Sequence, residues 1–268
     1  MRIARFSAGD EVSYGLVGTP RAVGATGGGE VVAELAGHPF GADRDAIRLT
    51  GTTHPLTGVR LLAPVLPSKV VAFAWPGPAA TAGAGDGPHD GPVMYLKPST
   101  AVCGPADAIR YPSQARRVAA GGALAVVIGR LCRQVPADQA GAVVLGYTCA
   151  VDVGAPDLAD RDGQWARARG FDTFCPLGPW IETDPGAGDL GLVATVNGQA
   201  RQRAASLRED VGALVAFASS VMTLLPGDVL LTGGAAPGGD AGALECGDEI
   251  AVTIGEIGTL TSKVDKGD

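Results

Sequence analysis

The chain is poor in aromatic residues, which make up 5% of it, and lysine is scarce beside arginine. No segment approaches the roughly 20 consecutive apolar residues that a membrane-spanning helix needs. The opening MRIARFSAGDEVSYG holds no apolar run of signal-peptide type, so the cytoplasm is the expected compartment. No block of like charges is long enough to form an acidic or basic tail. The net charge of −7 and pI near 5.0 exclude the electrostatic footprint of a nucleic-acid binder. The five cysteines, at 103, 132, 149, 175 and 246, are odd in number and lack CxxC pairing. They read as reduced, mostly buried thiols.

What is present is enough to fold. A chain of 268 residues, 46% hydrophobic with mean hydropathy +0.20, buries a sizeable core and is not disordered. The length fits one large domain, or one domain with a small appendage. Forty-one glycines and nineteen prolines punctuate short elements.

Residues 1–62 read as a small β-rich unit. RIARFSA and SYGLVG are strand-like, EVVAEL suits strand or helix, and GTTHPLTG is turn material. The prolines of VRLLAPVLPSKVVAFAW break any helix, and Val70–Trp75 reads as a buried strand. Residues 76–92 form a Gly/Ala/Pro-rich loop that cannot pack a core. LAVVIG and VVLGYTCAVDV are β-branched runs suited to central strands, with a short helix over Pro136–Ala142 between them.

Ser206–Ser220 predicts an amphipathic helix. Leu207, Val211, Leu214, Val215 and Ala218 recur at helical spacing, with Ser206 as cap and Glu209 three positions on. LPGD (225–228) and CGD (246–248) read as Asp-capped turns leading into strands. EIGTLTSKV closes as an edge-like strand, and no internal repeat is visible. GGAAPGG (233–239) is not read as a phosphate loop, because no GK[ST] follows and no βαβ unit surrounds it. The fold class is mostly β with short helices.

Five stretches carry more: MYLKPST (94–100), LAVVIGR (124–130), GYTCAVD (146–152), GFDTFCPLGP (170–179) and LPGDVLLTG (225–233). In this order the chain resembles the fumarylacetoacetate hydrolase family, including its acylpyruvate hydrolase and 2-oxo-hept-enedioate isomerase members. The resemblance implies a mixed β-roll over 63–268 behind the N-terminal appendage of 1–62. It also implies a divalent Mg or Mn ion held by a Glu-x-Glu strand and a following Asp. Such a hard cation takes carboxylate oxygens, and a period-two strand points both glutamates to one face. Finally it implies an Asn-Tyr-x-x-His base, and assembly as a homodimer or as a heterodimer with a paralogue.

The chain departs from this pattern where the chemistry resides. Gly121 and Ala123 stand at the Glu-x-Glu positions, leaving Asp152 as a lone carboxylate that holds magnesium weakly at most. Ala80 stands at the histidine position, and the nearest histidine is His89. Pro156, Arg169 and Gly234 replace an arginine, a lysine and a threonine. Lys97, Asp152, Arg169, Asp172, Thr173, Gln202 and Thr232 are kept at recognisable positions.

Structural roles are open to several of these: Lys97 at a strand end, Asp172 in the GFDTFCP turn, Gln202 on backbone. As functional residues, Asp152, Arg169 and Lys97 are the catalytic candidates. Arg169 and Lys97 would hold a carboxylate or enolate, with Asp152 as acid or base at a pKa set by apolar burial against two cations. Asp172, Thr173, Gln202 and Thr232 are the substrate-binding candidates.

No cofactor is expected, and the expected partner is a small molecule rather than nucleic acid or membrane. The first functional reading is a metal-independent enzyme acting on a β-dicarbonyl or polyketide-like substrate by tautomerisation, cyclisation, decarboxylation or C–C cleavage, in specialised metabolism. The alternatives are an inactive member serving as partner subunit or ligand-binding protein, and an ordinary Mg-dependent acylpyruvate-type hydrolase.

Overall fold

A computed structural model describes residues 1–24, 28–41, 47–74, 92–186, 190–204, 211–232 and 242–267. Five strands come first: β1 (Arg2–Ala8), β2 (Glu11–Gly18), β3 (Val31–Leu35), β4 (Leu49–Pro55) and β5 (Arg60–Leu62). The first four form an antiparallel meander, and β5 pairs with β1. EVVAEL is therefore strand. The turn expected over GTTHPLTG is in part strand β4, an almost wholly exposed edge. With no buried face it shows no apolar alternation, and its threonines alone favour extended backbone.

The remaining strands are β6 (Lys69–Ala74), β7 (Val93–Pro98), β8 (Val102–Cys103), β9 (Ile109–Tyr111), β10 (Val118–Ile128), β11 (Val144–Gly154), β12 (Cys175–Glu182), β13 (Leu192–Val196), β14 (Gln199–Ala204), β15 (Val229–Leu231), β16 (Ala243–Leu244), β17 (Glu249–Ile254) and β18 (Gly258–Lys266). The helices are α1 (Pro156–Asp162), α2 (Ala166–Arg169) and α3 (Val211–Val221). Pro156 sits in the first turn of α1, where a missing N–H costs nothing. The short helix expected near 136–142 is a 3₁₀ turn over Ala137–Ala142. Helix α3 carries the buried stripe of Val211, Leu214, Val215 and Ala218. Its expected cap, Ser206, with Leu207 and Glu209, lies outside the described residues.

The main sheet runs β4-β3-β2-β1-β12-β11-β10-β15-β6-β7, and a five-stranded sheet runs β14-β13-β17-β18-β9. The N-terminal meander joins the main sheet through β1 and β12, with Ile3 opposite Ile181. Every residue of β10 is buried. One face places Leu124, Val126 and Ile128 against Leu192, Ile250 and Val252 of the second sheet. Its other face places Ala123, Ala125 and Val127 with Ala72, Ile181 and Leu231. A strand covered on both sides loses alternation, which is why LAVVIG reads as a continuous apolar run. A Cβ at Gly122 would lie 3.0 Å from Leu192 and 3.1 Å from Val252, so the glycine lets the sheets close.

Both Asp-capped turns form. Asp228 accepts the N–H of Leu225 at 2.8 Å, and Asp248 that of Glu245 at 2.8 Å. All five cysteines are free thiols, with only Cys246 exposed. Among the described residues no helix is long and apolar enough to cross a membrane.

Candidate active site around Asp152

Strands β10 and β11 pair antiparallel with Gly121 opposite Asp152 and Ala123 opposite Ala150. Directly opposed residues share a face of the sheet, so these four positions lie together. Glutamates at 121 and 123 would sit beside Asp152. Here the neighbours supply no side-chain oxygen.

Three donors surround Asp152 instead. Arg169 Nη1 donates to Oδ2 at 2.9 Å, and Tyr95 OH donates to the same oxygen through a short hydrogen bond. Lys97 Nζ lies 2.9 Å from Oδ1. The three protons of this ammonium are directed at the carbonyls of Val153 (2.7 Å), Phe174 (2.9 Å) and Arg169 (3.1 Å). The contact with Oδ1 is thus one of charge, and Oδ1 accepts no hydrogen bond among the described residues. Tyr95 and Lys97 are two apart on β7 and so face one way. They bring the last strand of the sheet path onto β11 and close the roll.

Lys97 is fully buried. A buried ammonium is costly unless paired and hydrogen-bonded, and this one spends every proton on backbone. Its protons tie together β11, the end of α2 and the residue before β12, beside Asp152. Burial pulls its pKa down against the pull of Asp152.

Arg169 ends α2, its N–H bonded to Trp165 O at 2.9 Å. Its guanidinium lies 5.0 Å from the Tyr95 ring centre and 5.9 Å from that of Trp165, and the two rings meet edge to face at 5.3 Å. Burial opposes its charge, but Asp152 beside it prevails and raises its pKa. Burial and the Asp152 charge push the Tyr95 hydroxyl well above its usual range, so it stays a donor.

For Asp152, burial alone would raise the pKa. Arg169, then Lys97, and the hydrogen bond from Tyr95 outweigh it and hold the carboxyl below its ordinary value. In the contest expected from the sequence, the cations win over the apolar surroundings. Asp152 is an anion at neutrality.

The substrate-binding candidates are dispersed. Asp172 is exposed, and its turn is closed by backbone, Phe174 N–H to Phe171 O at 3.2 Å. Thr173, at φ +67°, accepts the Arg110 N–H on Oγ1 at 2.8 Å. Gln202 accepts from Gly122 N at 2.8 Å and donates to Gly122 O at 3.1 Å, on an edge of β10 that no described strand pairs. Its amide replaces a strand there. Thr232 is buried, with no hydrogen-bond partner for its hydroxyl among the described residues. His89, Ala80 and Gly234 lie outside the described residues.

Sequence reasoning did not single out Tyr95 or Trp165. Tyr95 was legible, two residues before Lys97 on a period-two strand. Trp165 reaches the site only through the path of α1 and α2, which no motif announces.

The described residues around Asp152 do not fit a divalent ion. Asp152 carries one negative charge against two positive ones, so the described cluster is net positive and repels a cation. Among the described residues no group of three or more His, Cys, Asp or Glu side chains is placed to hold a metal.

Residues 75–265 match the family described as fumarylacetoacetate (FAA) hydrolase C-terminal, and residues 1–64 match the Rv2993c-like N-terminal family. The chain is 45% identical over 273 residues to protein Rv2993c of Mycobacterium tuberculosis, covering 98% of each. A crystal structure of 5-carboxymethyl-2-hydroxymuconate delta-isomerase from Mycobacterium smegmatis superposes with TM-score 0.85 at 44% identity, covering 99% of this chain and 100% of that one. Maleylpyruvate hydrolase from Sphingobium sp. SYK-6, in complex with manganese(II) and pyruvate, superposes with TM-score 0.75 at 29% identity over 100% of both chains.

Proposed function

The chain belongs to the fumarylacetoacetate hydrolase family, and from that premise we propose that it isomerises a keto acid of β-dicarbonyl type between its keto and enol forms without a metal. The similar isomerase and hydrolase support the substrate class. The metal independence is supported by one observation: Asp152 is held by Arg169, Lys97 and Tyr95 and faces Gly121.

The geometry suits a proton shift better than hydrolysis. Hydrolysis needs an activated water, and among the described residues neither a histidine nor a second carboxylate stands beside Asp152 to activate one. A keto–enol shift needs an enolate stabiliser and a proton carrier. Arg169 supplies fixed positive charge for the developing oxyanion. Asp152 takes the carbon proton and returns it to the enolate oxygen, with no atom gained or lost. A carboxyl held this low is a weak base, so it serves a C–H already acidified by two carbonyls.

The test follows the ultraviolet band of enol-oxaloacetate as it decays to the keto form, with and without excess EDTA. Acceleration that survives the chelator and falls in Arg169→Ala supports the reading. Acceleration only with added Mn or Mg, or rapid hydrolysis of acetylpyruvate, overturns it.

A further inference from the structure

We infer that Gly154 is a positioning residue of this site: its bare backbone is the seat on which the Arg169 guanidinium rests against Asp152. A Cβ built at Gly154 would lie 2.9 Å from Arg169 Cδ, 3.0 Å from Nε and 3.1 Å from Cζ. No other atom is so near that position, and side chains essentially never approach within 3.0 Å.

The backbone gives no competing reason for the glycine. Gly154 is the last residue of β11, paired with Ala119, and is not among the residues at positive φ. Any residue adopts that conformation, and a glycine within a strand weakens it. The missing side chain is explained by Arg169 alone.

Neither partner has room to retreat. On one side the end of β11 is tied down, with Val153 N–H bonded to Phe174 O at 3.1 Å and Ala155 N–H to Ala168 O at 2.9 Å. On the other, the guanidinium is bounded by Tyr95, Trp165 and its bond to Asp152. A methyl at 154 therefore moves the guanidinium off the carboxylate.

The seat also sets what the arginine offers. Of the five N–H donors of a guanidinium, only one at Nη1 is engaged by a described residue. The others remain for a planar acceptor, which a substrate carboxylate matches and a lysine at 169 would meet only as a point charge. This deepens, and rests on, the keto-acid reading above.

The test is a cycle of Gly154→Ala, Arg169→Ala and both together in the full chain. The Arg169 Nε–Hε NMR signal is assigned by its loss in R169A. In G154A that signal should move to the position of a solvated arginine. Enol-oxaloacetate kcat/KM should fall about tenfold, through KM as the ground-state carboxylate contact is lost and through kcat as the oxyanion loses its fixed charge. An alanine at 169 has no Cδ, Nε or Cζ to clash, so Gly154→Ala should cost less melting temperature in that background than in the wild type.

An unmoved Arg169 signal in G154A overturns the inference, as do additive melting shifts across the cycle. Should G154A fail to fold, the double variant decides: recovered folding supports the seat, continued failure overturns it. Should the wild-type chain show no tautomerase activity, the signal and the melting cycle still test the seat, and only the keto-acid reading falls.

Discussion

Gly121 faces Asp152 across the β10–β11 ladder, on the same side of the sheet. The pair joins a position emptied of its side chain to one whose carboxylate is tied into the fold. The cations Arg169 and Lys97 stand against the two oxygens of that carboxylate.

The first consequence is measurable on the purified protein. Elemental analysis should find no stoichiometric Mg or Mn, and EDTA should leave the melting temperature unchanged. Binding of an ion shifts stability by mass action, so a chelator-induced drop of several degrees would contradict the reading of Asp152 as ion-paired.

Lys97→Met should cost about 3–5 kcal/mol in urea unfolding, the range for removing one partner of a buried ion pair. Three carbonyls and Asp152 would lose their partner together. Lys97→Arg should not restore stability, because a planar fork does not reproduce three divergent bonds at a fully buried point. Wild-type stability in K97M would show that the roll closes without this residue.

Acid unfolding should report Asp152. Its folded pKa lies below the usual 3.8, so the unfolded state binds more protons as pH falls toward and through that value. The stabilisation is present above the unfolded pKa and is lost on the acid side, through the folded one. Arg169→Ala removes the largest group that lowers the pKa, so its acid transition, followed by circular dichroism, should begin at higher pH than in the wild type. Coincident transitions would remove Arg169 from the pair.

Thiol chemistry should separate one cysteine from the rest. Burial pushes Cys149 and Cys175 up to about 12, and raises Cys103 and Cys132 as well. Reaction follows the thiolate and its exposure. The native protein should therefore react with Ellman's reagent at one fast thiol, lost in Cys246→Ser, and at five after denaturation.

The fold was legible because its signals are local. LAVVIG, the LPGD and CGD turns and the stripe of α3 each carry their own periodicity or dihedral demand. Strand β4 escaped because an exposed edge needs no apolar pattern. At the site, the sequence singled out Asp152, Arg169 and Lys97, but the division of labour among them is tertiary. Nothing local says that Lys97 Nζ meets three carbonyls from β11, α2 and the residue before β12, or that Gln202 reaches an unpaired edge of β10. Gly154 looks like any strand-end glycine until Arg169 lies over it.

The hydrogen bonds of Lys97 bear on which old site residues such a chain can discard. A side chain that only grips an ion can become glycine or alanine and leave the barrel standing. Asp152 has no such freedom, since removing it strands a buried ammonium at the seam of the roll. The packing of Lys97 thus calls for an aspartate at 152 whatever chemistry the site performs.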